Sequence, residues 1–473
     1  MAPHPIVFWF RRDLRLADNP ALVAAVRRSD GHVAAVFVVD RDFAAPAGAA
    51  RIDYLRRTLE ALDVSLAGCL SVRVGDPAVV LVEVAREIGA REVFATGDFG
   101  PRGRERDHRV AEALSVEGLT LRLVDSPYVV EPGTVLTTSS MPCRVFGSFR
   151  RGWELLPVAT PVDAPSGVHW HHLPSSSLDE LTRCAGTSRP WYFGDLPDGP
   201  PSRPSPAGEN AAREVLTKYR DLVDHYDEVR DHPGLDQTSR LSPHLRFGAL
   251  HPRQVLATLD GDSTGRRTFR SEICWREFYA DVVFHRPDSV RHVMQPTLEH
   301  LRVDDDERAV ARFQTWARGE TGYPLVDAGM RQLLSEGWVH NRVRMVAASF
   351  LVKHLHLDWR WGARWFMWRL VDGDIASNQH GWQWTAGTST DAAPFHRIFN
   401  PTLQAQRFDT RGTYIRRHVG ELASVPAPQC LEPGGGARGL GSAYASPMVD
   451  HGTERAEALA RFAEARALAR IGS

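Results

Sequence analysis

Four segments bring together residue types that suit a planar, phosphate-bearing ligand. In 338–351 (WVHNRVRMVAASFL), Trp338, Asn341, Arg342 and Met345 recur at i, i+3, i+4 and i+7 and share one helix face. A ring, an amide, a guanidinium and a thioether suit a flat heterocycle better than a dry core, although ordinary packing gives the same spacing. In 372–384 (DGDIASNQHGWQW), Asp372, Asp374 and Asn378 lie close to Trp382 and Trp384. Two carboxylates two residues apart do not share a helix face, so one serves a ligand or a helix cap. In 237–248 (QTSRLSPHLRFG), Thr238, Ser239, Arg240 and Ser242 supply hydroxyls, backbone N–H groups and a fixed cation near a helix start. Such a run can cradle phosphates, and an N-cap run looks the same. In 271–284 (SEICWREFYADVVF), Glu272, Arg276 and Tyr279 recur at helical spacing beside Trp275. A glutamate inside an aromatic helix is costly unless it is paired or faces a ligand.

The elements that must position these residues fall into two kinds. Residues 5–10, 33–39, 70–74, 92–96 and 119–124 are short apolar runs that read as strands buried on both faces of a parallel sheet. Helical stretches near 18–29, 51–66, 77–89 and 104–115 alternate with them, which predicts a doubly wound α/β domain. The turn after the first strand is Arg11-Arg12-Asp13-Leu14-Arg15, with no GxGxxG, which disfavours a nicotinamide dinucleotide site. Residues 157–208 are rich in Pro, Ser, Gly and Asp and read as an interdomain connection. Its His169, His171 and His172 lack a carboxylate or cysteine partner at metal-ligand spacing. From 209 onward the periodicity is helical, ending in an amphipathic helix over 452–470 with a threonine/glutamate start.

Composition narrows the classes. The chain has 473 residues, and 57 basic against 58 acidic side chains give a net charge of −1. That total hides a strip over 331–370, where Arg331, Arg342, Arg344, Lys353, Arg360, Arg364 and Arg369 face only Glu336 and Asp358. Such a strip suits phosphate contacts, and an ordinary solvated helix face is the alternative. Five scattered cysteines without a CxxC pair argue against a disulfide framework or a zinc site, and point to a reducing, cytoplasmic setting. No membrane span or signal peptide is expected. Nine of 13 tryptophans fall between Trp275 and Trp384: a large core, a stacking surface for bases, or a redox conduit.

VFWFRRDLRLADNPAL (7–22), TSRLSPHLRFG, WREFY (275–279), TGYPLVDAGMRQL (321–333), WVHNRVRMVAASFLVK (338–353) and DGDIASNQHGWQW…TDAAPFHRIFNPTLQAQRFD (372–409) closely resemble, in order, motifs of the photolyase/cryptochrome family. The resemblance covers residues 6 to about 420, and within the family it is to bacterial class I cyclobutane pyrimidine dimer photolyases. It implies an α/β, Rossmann-like antenna domain (1–130), a linker (131–208) and an all-α domain (209–473) that binds FAD and DNA. It implies FAD contacts from Tyr226, Thr238, Ser239, Arg240, Leu241, Ser242, Arg276, Arg344, Asp372, Asp374 and Asn378, with Asn378 beside the redox nitrogen. It implies a pocket for a flipped dimer from Glu272, Trp275, Asn341, Arg342, Met345 and Trp384, with Gln404 on DNA. The implied activity is light-driven repair of UV-damaged DNA by a monomer without metal. A signalling cryptochrome is the alternative, and a dark flavin oxidoreductase a more distant one. Asn378 speaks for repair, because plant cryptochromes tend to carry Asp there and animal ones Cys.

Two departures stand out. Trp382 and Trp359 match the first two stations of the family's electron relay, but no aromatic residue lies between His300 and Phe313, where the outermost tryptophan belongs. Trp361 or Trp365 are candidate substitutes. Folate-binding relatives carry Asn-Glu where this chain has Arg102 and Gly103. The stretch 98–107 (DFGPRGRERD) resembles deazaflavin-binding relatives instead. An 8-hydroxy-5-deazaflavin antenna is therefore expected ahead of methenyltetrahydrofolate.

Overall fold

A computed structural model describes residues 4–391, 394–436 and 444–471. The chain divides into two compact units: Met1–Arg189, Ser205–Asp224 and Ser239–Pro287 form the first, and Pro190–Pro204, His225–Thr238 and Asp288–Ser473 the second. These divisions fall elsewhere than the sequence boundaries at 130 and 208. Two stretches with helical periodicity, 205–224 and 239–287, pack with the sheet.

The first unit is built on parallel strands β1 (Ile6–Phe10), β2 (His32–Val39), β3 (Leu70–Val74), β4 (Glu92–Ala95) and β5 (Thr120–Leu123), in the order β3-β2-β1-β4-β5. A two-residue strand, β6 (His169–Trp170), pairs with the start of β2. All of β1 and all but His32 of β2 are buried, as continuous apolar runs covered on both faces require. The strand expected over 119–124 differs. β5 is an edge strand with three of its four residues exposed, so its apolar residues do not mark a two-sided core. Local signals are obeyed closely at helix Pro77–Ile88. Asp76 accepts from Ala78 N at 3.0 Å, Pro77 opens the first turn, and Gly89 closes it at φ 68°.

Helix Thr264–His285 carries two carboxylates that the sequence reading passed over. Buried Glu277 accepts from Val129 N (2.5 Å), Val130 N (3.0 Å) and Trp153 Nε1 (2.7 Å). Asp281, one turn on, accepts from Gly133 N at 2.7 Å. Gly133 sits at φ 93°, and a Cβ there would lie 2.5 Å from the Phe284 ring. The chain leaving the sheet is thus pinned to this helix.

The core of the second unit gathers helices Glu307–Arg318, Pro324–Glu336, Asn341–Lys353, Trp359–Arg369 and Ile375–Ala386 around Trp316, Phe350, Trp365, Trp368 and Trp382. Gly362 lets helix Trp359–Arg369 approach Trp382. A Cβ at 362 would lie 2.1 Å from that indole. The final helix runs His451–Ile471, and Asp450, not Thr453, caps it, accepting from Thr453 N at 2.8 Å. Among the described residues no helix is long and apolar enough to cross a membrane, and no group of histidine, cysteine or carboxylate side chains could hold a metal.

Candidate functional site

In the second unit, His340 starts helix Asn341–Lys353, its Nδ1 accepting from Arg342 N at 3.2 Å. Arg344 donates from Nε to Val339 O (2.7 Å) and from Nη2 to buried Asp372 Oδ2 (2.8 Å). Arg342 donates to Asp231 Oδ1 at 2.7 Å, with its guanidinium 4.5 Å from the Phe408 ring centroid. Asn341 is exposed and Met345 half-buried, whereas Trp338 is buried. The face read from sequence therefore splits into a buried anchor and an accessible Asn341–Arg342–Met345 edge.

Asp374 is a helix cap, accepting from Ala376 N and Ser377 N at 3.1 Å each to start helix Ile375–Ala386. One turn on, Asn378 donates from Nδ2 to Ala363 O (3.0 Å) and Gln379 Oε1 (2.9 Å). Both amide protons are committed, which fixes the rotamer and leaves the carbonyl oxygen to accept from a donor. Trp382 is buried against Phe366 and Trp316. Trp384 and Gln404 are half-buried, the latter on helix Pro401–Phe408. Trp359 is 5% exposed, with the Arg360 guanidinium 5.2 Å from its ring centroid and no aromatic ring partner among the described residues. Tyr226 opens helix Tyr226–Val229 under the guanidinium of Arg230.

The basic strip does not form the open cationic surface expected from the charge count. Lys353 and Arg369 are buried, held by Arg397 O and by the carbonyls of Pro197, Gly199 and Leu334. Arg331, Arg342, Arg344 and Arg360 are paired with Glu421, Asp231, Asp372 and Asp358. Arg364 is exposed. Counting charges along the chain cannot see these partners.

In the first unit, Ser239 Oγ accepts from Leu241 N at 3.3 Å, and Arg240 holds φ 49°, a left-handed conformation that costs a non-glycine residue about 1–3 kcal/mol. Helix Ser242–Phe247 follows and is only six residues long. Arg276 donates to Pro127 O (3.2 Å) and Leu245 O (3.4 Å) and lies over Tyr128. Glu272 is half-buried. Trp275 is half-buried too, and its ring stacks on Phe146 at 3.6 Å and 8°. Phe146 is a site residue the sequence reading missed. Nothing in a phenylalanine 129 positions away marks it as a partner.

The residues suit the expected flavin dinucleotide. Thr238 Oγ1 is buried without a protein hydrogen-bond partner. Arg240 is held in a strained conformation of the kind that persists where a ligand needs it. Asn378 offers a fixed acceptor. Tyr226, Thr238, Arg344, Asp372, Asp374, Asn378, Trp359, Trp382, Trp384, Asn341, Arg342, Met345 and Gln404 belong to the second unit. Ser239, Arg240, Leu241, Ser242, Glu272, Trp275 and Arg276 belong to the first.

His340 also gives the site a pH signature. Burial is the main cause holding its imidazole down at about 4; Asp231 and Asp236 oppose this, and Arg342 and Arg344 add to it. The folded protein keeps the ring neutral, while the unfolded chain takes up a proton near the ordinary value of about 6.5. Its contribution is whole above that value and is lost as pH falls toward about 4. His340→Asn keeps a cap and removes the titration. The fall in the denaturation midpoint from pH 7 to pH 5 should be smaller in this variant than in the parent. Equal falls would refute the assignment. The variant should still show acid loss, because burial holds His244, His354 and His380 low as well.

Residues 6–166 match the family model described as DNA photolyase, and residues 269–464 match the FAD binding domain of DNA photolyase. Tyr226 and Thr238–Ser242 lie outside both spans. The chain is 38% identical to the deoxyribodipyrimidine photo-lyase of Agrobacterium fabrum, covering 97% of this chain and 98% of that one. It is 36% identical to that of Escherichia coli, covering 97% and 98%. Among solved structures, the bacterial class III photolyase from Agrobacterium tumefaciens matches with TM-score 0.88 at 37% identity, covering 98% of each chain. That is a different class from the one the motifs suggest. A Synechocystis cryptochrome matches with TM-score 0.84 at 27% identity over 97% of this chain and 99% of that one. An archaeal photolyase from Sulfolobus tokodaii, described with two FAD molecules, matches with TM-score 0.80 at 28% identity over 97% and 100%.

Proposed function

Since the chain belongs to the DNA photolyase family, we propose that it is a deoxyribodipyrimidine photo-lyase that splits cyclobutane pyrimidine dimers in UV-damaged DNA under blue light. Likeness to curated photo-lyases along 97% of the chain carries this reading. Reduced FAD supplies a photoexcited electron that opens the cyclobutane ring and then returns, with no net redox change.

The chain's own residues bind, orient and exclude water. Tyr226, Thr238, Ser239, Arg240, Leu241, Ser242, Arg276, Arg344, Asp372 and Asp374 hold the cofactor. Asp374 does so while capping its helix, and Asp372 while paired to Arg344. With its amide protons committed, Asn378 has a carbonyl oxygen that would accept from an N–H of a reduced flavin. A dimer inside a duplex is out of reach, so it is extruded, at roughly a few kcal/mol for a damaged step. Trp275 and Trp384 offer aromatic faces to the flipped bases. Glu272 and Asn341 bond their polar edges, and Met345 packs against them. Arg342 and Gln404 contact DNA. Trp382 and Trp359 are the residues the resemblance assigns to moving electrons toward oxidised cofactor. The reading places the protein on DNA in the cytoplasm as a monomer.

Reduced protein incubated with UV-irradiated oligothymidylate should restore thymine absorbance under blue light and not in the dark. A protein that keeps its flavin and gives no light-dependent recovery is instead a cryptochrome, the reading favoured by the likeness to the Synechocystis structure.

For the antenna, an 8-hydroxy-5-deazaflavin is proposed ahead of methenyltetrahydrofolate. Position 103 supports this: a Cβ on Gly103 would lie 2.2 Å from the Asp98 carboxyl carbon, so the glutamate of folate binders would require the Asp98 side chain to shift. Burial pushes Asp98 up, but Arg12, Arg106 and Arg11 outweigh it and hold the carboxyl below its ordinary range. Protein purified from its native host should show an absorption band between the flavin and folate regions. A folate band in its place overturns the assignment.

A further inference from the structure

The sequence lacks the expected outer tryptophan, yet the second unit contains an unbroken chain of rings from Trp382 to solvent. Trp382 meets Trp316 at 6.1 Å between centroids. Phe313 lies 5.8 Å from Trp316 and 5.8 Å from Trp361. Trp361 stacks on Tyr192 at 4.6 Å and 15°, and Tyr192 meets Trp191 at 5.8 Å. Trp316 is fully buried, Trp361 partly buried, and Trp191 75% exposed. By contrast, Trp359 has no aromatic partner among the described residues, only the Arg360 guanidinium 5.2 Å from its ring centroid, and the second candidate substitute, Trp365, is fully buried against Phe193.

We propose that Trp382 is refilled with electrons through Trp316 and Trp361, with exposed Trp191 as the outer terminus. This rests on the reading that FAD binds beside Trp382. The gradient of exposure sets the direction. A cationic hole is costly in a dry core and is stabilised where water reaches the ring, so it migrates outward. Indole can carry that hole without first losing a proton. Phe313 is too hard to oxidise to hold it and serves as packed medium between Trp316 and Trp361. Tyr192 is also a poor resting place. Oxidising a phenol requires releasing its proton, and the buried Tyr192 hydroxyl has no hydrogen-bond acceptor.

The electrons balance as follows. One electron leaves Trp382 for the photoexcited oxidised flavin, Trp316 refills Trp382, and Trp361 refills Trp316. The vacancy at the Trp361–Trp191 end takes one electron from a small-molecule thiolate in solution, and two resulting thiyl radicals pair as a disulfide. Any indole proton lost at the surface returns on that reduction, so the protein is unchanged.

The test is photoreduction of the oxidised, FAD-loaded protein with dithiothreitol, together with transient absorption of the tryptophan radical. Trp361→Phe, with flavin content intact, should slow photoreduction by about tenfold or more. It should also leave a short-lived radical whose decay no longer responds to thiol. Trp316→Phe should do the same. An unchanged rate and unchanged thiol response in Trp361→Phe overturns the route. Should Trp361→Phe lose its flavin, Trp191→Phe carries the test through the thiol response, because that ring lies at the surface. Trp382→Phe separates the two levels. If it too photoreduces like the parent, the flavin reading fails; if it alone is slow, only the route fails.

Discussion

Glu277→Ala should destabilise the protein by about 3–6 kcal/mol, measured as a shift in the urea unfolding midpoint. The carboxylate accepts three buried donors: Val129 N, Val130 N and Trp153 Nε1. Each donor left unpaired costs roughly 1–3 kcal/mol, and alanine replaces none of the lost acceptors. Burial pushes the Glu277 carboxyl up, while the three hydrogen bonds and Arg276 pull the other way. Part of what the acceptors contribute is therefore already spent on desolvating the charge, and the lower half of the range is the better guide. Glu277→Gln keeps one acceptor oxygen but turns an NH2 toward the remaining donors, so it should fall between the parent and alanine. A change below about 1 kcal/mol for Glu277→Ala would show that water or the chain itself replaces the lost acceptor.

Glu277 also shows where sequence reasoning ran out. The stretch 271–284 attracted attention for Glu272, whose spacing to Arg276 and Tyr279 suggested a ligand face. The glutamate with the deepest burial was the one five residues later. Its partners lie more than 120 positions away, at the end of the expected α/β domain and in the first part of the expected linker. Periodicity says that 264–285 is a helix with an apolar face; it does not say which element covers that face. The same limit moved 205–224 and 239–287 from a helical domain to the sheet unit.

Strands fared better, because a buried parallel strand writes itself as a continuous apolar run. β5, at an edge, breaks the rule, and so does the two-residue β6, neither of whose residues is buried. Local capping was legible at Asp76-Pro77, where the residue types are the preferred ones. It was not legible at His340 and His251, which cap helices through Nδ1, a role outside the usual N-cap set. At the site, residue types were a poor guide to what each side chain touches within its own unit. Asp374 caps a helix, one of the two roles its spacing allowed, whereas no spacing rule foretells the pairing of Arg342 with Asp231.

Trp275→Ala should weaken binding to dimer-containing DNA by roughly 5- to 150-fold, the equivalent of one base–aromatic stack of about 1–3 kcal/mol. The geometry sets that size. One face of the Trp275 ring is covered by Phe146 at 3.6 Å and 8°, so a single face remains for a flipped base. Edge contacts to Phe278 and Tyr279 hold the ring's orientation, at 5.8 Å and 5.4 Å between centroids. Phe146→Ala removes the backing without touching the exposed face, so it should give a smaller loss in the same direction. Flavin content separates recognition from structure. Both variants should retain stoichiometric FAD, because neither side chain is among the residues assigned to hold it. Flavin loss in step with DNA affinity would make Trp275 a packing residue and move recognition to Trp384 and the Asn341–Arg342–Met345 edge.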